Sequence, residues 1–288
     1  MLVDLVRTTT PDGMRLDGAL HAATSPRRDF DLAICLHGVQ TNFYSSSLIE
    51  ALVEPLTRTG ISVLRVNTRG HDGVTAATVA DRRRWQGAAF EIIDECRHDV
   101  QGWLAWAAQH GYQRVLLLGH SLGAIKCLYA AAHENLPLVR AIAALSPPRL
   151  SYSHFREGFD NDKFFESLAT AQSLVQHRTP DALFQAKFPF PLFITASGYL
   201  DKYGPRERYN FLAFLQSVRV PVLFAFGSKE LTQSAVFSGI REAIADVDHS
   251  GDQLQVVTID GADHIYSGKH AALGGALANW LQSVADHD

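Results

Sequence analysis

Cysteine is scarce in this sequence, with three in 288 residues: Cys35, Cys96 and Cys127, far apart and odd in number. That excludes a disulfide framework or a thiolate zinc site and leaves reduced core residues. Charge of one sign is lacking too. Acidic residues exceed basic ones only 30 to 26, so there is no basic footprint for a nucleic acid. No apolar run approaches the roughly 20 residues that span a bilayer, so no membrane span is expected. Low-complexity tracts, heptad arrays and solenoid-period repeats are missing as well. The thirteen histidines are scattered, with no His-x-x-x-His pair, so neither a metal nor another cofactor is expected. Residues 1–10 carry Asp4 and Arg7 within a strand-like alternation and lack the apolar core of a signal peptide. These absences predict a cytoplasmic globular protein whose partner is a small molecule.

What is present is a rhythm. Leu2 to Thr8 and Met14 to Ala22 alternate around Pro11-Asp12-Gly13 and predict an antiparallel hairpin. Asp31 to Leu36, Ile61 to Asn67, Val115 to Leu118, Ala141 to Leu145, Val220 to Phe226 and Leu254 to Ile259 are apolar runs suited to buried strands. Between them, helical spacing covers Ser45 to Thr59 (capped by Asn42 or Ser45), Glu91 to His110, Leu122 to Ala132, Gln233 to Ala245 and Ala271 to Val284. Such alternation predicts an α/β fold: a mostly parallel central sheet of about eight strands flanked by helices. The arginine run Arg82 to Arg84 reads as a solvated surface.

From Arg149 to Val218 the rhythm stops. Asp162 to His177 and Asp181 to Lys187 read as helices, Pro189, Pro191 and Pro205 interrupt the rest, and fourteen of the chain's 28 aromatics fall between Tyr152 and Phe214. The expected organisation is a core of residues 1–148 and 219–288 with a largely helical insertion at 149–218.

Gly119-His120-Ser121-Leu122-Gly123 sits between an apolar strand and a helix. A serine flanked by glycines at such a junction reads as a nucleophile elbow, where only glycine tolerates the crowding. A serine hydroxyl needs a positioned base and a carboxylate to orient that base. His264, in the loop after the last strand, is the expected base. Glu230, three residues past Gly227 after the preceding strand, is the expected acid, with Asp201, Asp252 and Asp260 as rivals. Asp263, adjacent to the base, is expected to be structural. The backbone N–H groups of Leu122 and Val39 are the expected oxyanion donors.

Taken together these motifs resemble the α/β-hydrolase fold superfamily over the whole chain except the insertion. His37-Gly38 is similar to the family's oxyanion motif, Asn67 to His71 to its Asp-x-Arg-Gly-His loop, with Asn67 in place of Asp, and Glu230 stands where Asp is commoner. The resemblance implies an enzyme, a carboxylesterase or thioesterase that works through an acyl-enzyme, and makes the insertion its cap. It leaves carbon–carbon bond hydrolysis, acyl transfer, cofactor-free haloperoxidation and a non-catalytic ligand receptor open as alternatives. Ser121 in place of Asp argues against a dehalogenase or epoxide hydrolase.

His37 and His120 beside the catalytic turns, and Tyr152, Phe155, Tyr199 and Tyr203 in the insertion, are the candidate pocket residues, suited to an ester or thioester with an apolar or aromatic moiety. Arg69 is expected to brace its loop. The insertion's charges, Arg156, Lys163, Lys187 and Arg206 against Asp160, Glu166, Asp181 and Glu207, are mixed and predict no substrate sign.

Overall fold

Alternating apolar residues in the central strands send side chains to both faces of one sheet. The computed structural model describes residues 3–25, 29–158, 161–247 and 254–285; Leu2, Asp160 and Asp252 lie outside them. Strands β1 (Asp4–Thr9) and β2 (Arg15–His21) form the expected antiparallel hairpin at one edge. Then follow β3 (Leu32–Leu36), helix α1 (Ser47–Arg58) and β4 (Ser62–Val66). The side chain of Ser46 caps α1, whereas Asn42 accepts from the Tyr44 and Ser45 amides in the preceding turn.

The arginine run is exposed, as expected, but it is also strand. β5 (Thr75–Val79) and β6 (Arg82–Gln86) pair as a ribbon turned at Ala80 and Asp81, both left-handed with φ of 46° and 65°. The next helix starts later than its periodicity suggests. α2 spans Cys96–Gln109 behind a 3₁₀ turn at Ile93–Glu95, and Glu91 turns into the interior before it.

β7 (Val115–His120), α3 (Leu122–His133) and β8 (Val139–Leu145) follow. Between β8 and the next sheet strand lie α4 (Tyr152–Arg156), α5 (Asn161–Gln176), β9 (Leu183–Ala186), β10 (Leu192–Thr195) and α6 (Ala196–Tyr203). The helix expected over Asp181 to Lys187 is instead β9, held antiparallel to β10. Pairing with a partner strand outweighs the weak local preference of four residues.

The sheet resumes with β11 (Val222–Gly227). The single helix expected at Gln233 to Ala245 is split into α7 (Ser228–Gln233) and α8 (Ile240–Ala245) by extended Ser234 and left-handed Gly239. β12 (Leu254–Ile259) and α9 (His270–Ala285) complete the described chain.

The eight-stranded sheet has the order β1-β2-β4-β3-β7-β8-β11-β12, parallel from β4 onward. In β7, Val115 and Leu117 pack with the layer of α2 and α3, whereas Leu116 and Leu118 pack with that of α1 and α9. Both faces are therefore covered, as a parallel sheet requires. The strand order reverses between β3 and β7, so their carboxyl ends open a crevice of the kind in which α/β sheets bind ligands. No helix among the described residues is long and apolar enough to cross a membrane.

Candidate active site

The strand ends at that crevice carry the candidate catalytic residues. β7 ends in the elbow, where Ser121 is left-handed with φ 56° and its amide donates to Leu145 O at 2.8 Å. Both flanking glycines are required by close approach. A Cβ on Gly119 would lie 2.4 Å from backbone of Gly123, and one on Gly123 2.4 Å from Leu36 O. α3 begins at the next residue, so the Leu122 N–H has no partner within the helix.

Glu230 lies in the first turn of α7 and is 4% exposed. Its Oε1 accepts from the Gly227 amide at 2.7 Å and from the Ser146 hydroxyl at 2.6 Å. Its Oε2 accepts from His264 Nδ1 at 2.7 Å, which leaves Nε2 as the imidazole's free ring nitrogen. Ser146 is itself left-handed at the end of β8, with φ 49°, and the Tyr266 hydroxyl lies 2.8 Å from both Ser146 Oγ and Ala225 O. This buried network holds one carboxylate rotamer against the Nδ1 edge of the imidazole.

Of the rival carboxylates, Asp201 accepts from the Ile93 amide and pairs with Arg208, Asp260 accepts from Ser228, and Asp252 lies outside the described residues. Asp263 accepts from the Ile265 and Ser267 amides, a structural role as expected.

Two buried histidines are fixed in neutral forms. His120 Nε2 donates to the His264 carbonyl at 2.8 Å, and burial pushes its pKa down to about 3. His37 Nε2 accepts from the Thr68 amide at 3.2 Å, so the proton is on Nδ1, which donates to Gly38 O at 2.8 Å. Burial likewise pushes its pKa down to about 3. The Thr68 hydroxyl is held in turn by Lys126 Nζ at 2.9 Å, and Lys126 pairs with buried Glu91. A continuous polar chain thus runs from Glu91 to the Gly38 carbonyl, one residue before Val39.

Arg69 is buried and braced by Asp12, Asp99 and Glu95, as expected. The Asn67 side chain accepts from the Phe43 amide and so meets a backbone donor as a carboxylate would. The cysteines are free and buried, and burial pushes the Cys35 thiol up to about 12.

A cavity of about 390 Å³ gathers Ser121, His264, Glu230, Val39 and Leu122 on its wall. Most of the remainder is apolar, including Leu150, Pro189, Phe190, Val236 and Phe237. Of the six candidate pocket residues only Tyr203 reaches this wall. His37 and His120 stand behind it in the roles just described. Phe155 packs 4.8 Å from Phe188, Tyr199 lies tilted against Tyr203 at 4.8 Å, and Tyr152 packs edge-on to Phe164 at 5.7 Å, so these rings build the insertion's own core.

Lys202, which also lines the cavity, and Ser146, Tyr266 and Glu91, buried behind it, were not legible as neighbours of the candidate site. A lysine inside the apolar run Leu122 to Ala132 was the one available signal, since an ammonium on a buried helix face implies a buried carboxylate.

A sequence model of the alpha/beta hydrolase family matches residues 33–278. No curated protein matches the chain. Among solved structures, it is similar to an esterase of Pyrococcus furiosus, with 16% identity, 98% of this chain and 91% of the other covered, and a TM-score of 0.66. Est1E of Butyrivibrio proteoclasticus, with ferulic acid bound, gives 18% identity, 96% and 98% coverage and a TM-score of 0.68. The alpha/beta hydrolase GrgF of Penicillium sp. sh18 gives 14% identity, 99% and 100% coverage and a TM-score of 0.72. With a sheet that is parallel from β4 onward, a serine elbow after β7 and a family match over most of its length, the chain belongs to the alpha/beta hydrolase family.

Proposed function

We propose that the chain is a serine hydrolase that cleaves a carboxylic ester or thioester through an acyl-enzyme. The observation that carries this reading is the meeting of Ser121, His264 and Glu230 on one cavity wall, with the imidazole held at Nδ1 by a buried carboxylate. In this reading Ser121 Oγ attacks the acyl carbon while His264 Nε2 takes its proton. The imidazolium so formed is stabilised by Glu230 and returns the proton to the leaving group. Water then enters by the same base-assisted route and releases the acid. The Val39 and Leu122 amides face the charge that develops on the tetrahedral oxygen.

Residues 149–218 act as the cap, and they contribute Leu150, Pro189, Phe190, Lys202 and Tyr203 to the cavity. A largely apolar wall suits an ester with an apolar or aromatic portion. Ser121→Ala is expected to abolish turnover of a short p-nitrophenyl ester while the fold is retained; activity equal to wild type would refute the mechanism.

A further inference from the structure

The cavity wall holds one cation outside the reacting group. Lys202, at the end of α6, lines the cavity among apolar neighbours and is only 2% exposed. Its Nζ has no hydrogen-bond partner. The nearest carboxylate oxygen that pairs with it, Glu91 Oε2, is 3.9 Å away, beyond hydrogen-bond reach, and Glu91 is already in contact with Lys126. Asp201, its neighbour in sequence, is bound to the Ile93 amide and pairs with Arg208. The Tyr209 ring, 5.3 Å from Nζ, offers only a cation–π contact. One carboxylate therefore serves two buried ammoniums, and Lys202, whose buried Nζ lies beneath the wall that its side chain lines, is left without an acceptor.

An ammonium taken out of water without a hydrogen-bond partner is costly to the fold. Burial pushes Lys202 below the usual lysine range; Glu91 and Asp201 offset part of that, and Lys126 adds to it. That cost is recovered when a ligand brings the missing acceptor.

We propose that Lys202 is a specificity residue that binds a carboxylate on the substrate, so that the preferred ester carries a free acid as well as the scissile acyl group. The inference rests on the hydrolase reading for its catalytic half. A single ammonium offers one point charge, which suits a carboxylate at the end of an apolar chain. A phosphate dianion would need several charged donors, and among the described residues Lys202 is the one Lys or Arg that lines the cavity. The mixed surface charge of the insertion gave no substrate sign; its buried lysine offers a partner for a negative group, with Asp263 the other charged residue of the lining besides Glu230 and His264.

The test compares anionic esters with methyl-capped counterparts. Mono-p-nitrophenyl adipate and suberate place the carboxylate on the acyl side, and 4-acetoxybenzoate places it on the leaving group. In the wild-type protein at least one of these is expected to exceed its methyl-capped partner in kcat/KM by on the order of 10- to 100-fold, the range of a charge-assisted hydrogen bond. The arm that wins says which side of the ester faces Lys202. Lys202→Met is expected to erase the advantage, bringing the ratio of anionic to capped kcat/KM to about one whatever the absolute rates. Equal rates for anionic and capped esters in the wild-type protein, a comparison that needs no variant, would overturn the proposal. So would an advantage that survives Lys202→Met.

Calorimetry of monomethyl suberate with Ser121→Ala separates the two readings, since it needs no turnover. Binding that is lost in Ser121→Ala/Lys202→Met supports the anion site even if no ester is cleaved. Absence of binding to Ser121→Ala overturns it even if neutral esters are cleaved.

Discussion

Replacing Glu230 with Gln changes one atom and tests how the base is held. Glu230 Oε1 receives two hydrogens, from the Gly227 amide at 2.7 Å and the Ser146 hydroxyl at 2.6 Å, while Oε2 receives one from His264. In the variant the amide oxygen must face the two donors, so the NH₂ group faces His264 Nδ1. The imidazole can then relieve the clash of donors only by moving its proton to Nε2, the nitrogen that should accept from Ser121. A neutral base in the wrong tautomer lowers kcat on the order of 10³- to 10⁴-fold, as amide replacement of a triad acid does elsewhere. That corresponds to about 4 to 5.5 kcal/mol of barrier. KM should stay near the wild-type value because the cavity wall keeps its shape.

Steady-state hydrolysis of a p-nitrophenyl ester, with a thermal melt to show that the variant is folded, measures this directly. A Glu230→Gln variant within tenfold of wild type would refute the assignment. A loss of the predicted size in Asp260→Asn or Asp201→Asn instead would move the role to another carboxylate.

Other perturbations follow from the same geometry. Ser146→Ala removes one of the two donors to Glu230 Oε1 but keeps the carboxylate, so kcat should fall only about tenfold, in line with one hydrogen bond to a charged group. Gly123→Ala places a methyl 2.4 Å from Leu36 O and 2.6 Å from His37 O, backbone that cannot yield. Urea unfolding should show a loss of about 3 kcal/mol, at the upper end of overpacking. His120 is held neutral with its pKa lowered to about 3 from 6.5, so the unfolded chain binds one more proton between those values. Stability is therefore fully present above about pH 6.5 and falls with decreasing pH by about 1.4 kcal/mol per unit for this group until the folded pKa is reached. His120→Gln should reduce the slope of unfolding free energy between pH 6 and 4 by that amount, and an unchanged slope would contradict the assignment. Thr68→Val cuts the polar chain from Glu91 to His37 and the Gly38 carbonyl; kcat should fall with little change in KM, and the thermal melt should confirm the fold.

The sheet was legible because strands buried on both faces have few compositions open to them. β12 occupies the predicted residues, and the other strands of the parallel sheet differ from their predicted runs by one or two residues at one or both ends. The elbow was legible because its two glycines answer a steric demand that the motif states directly. Where a segment's state depends on a distant partner, the sequence was silent or misleading. Leu183–Ala186 is strand only because Leu192–Thr195 lies beside it, and the Arg82–Gln86 strand was hidden by charges that solvate its exposed side.

The break in the predicted Gln233 to Ala245 helix had a visible cause in Gly239, which helical periodicity overrode. The pocket aromatics were chosen by type and position. Their outcome was decided by packing, since a small layer spends most of its rings on its own core and only Tyr203 reached the cavity. Lys202 escaped notice among mixed surface charges because burial, the property that distinguishes it, is set by the tertiary structure.

The central claim is that Ser121 is a nucleophile activated by His264. Fluorophosphonate treatment followed by peptide mass mapping tests it most directly. The account predicts a single adduct on Ser121, absent in Ser121→Ala and strongly slowed in His264→Ala and Glu230→Gln. An unlabelled wild-type protein, or labelling at Ser121 that proceeds equally fast without His264, would contradict it.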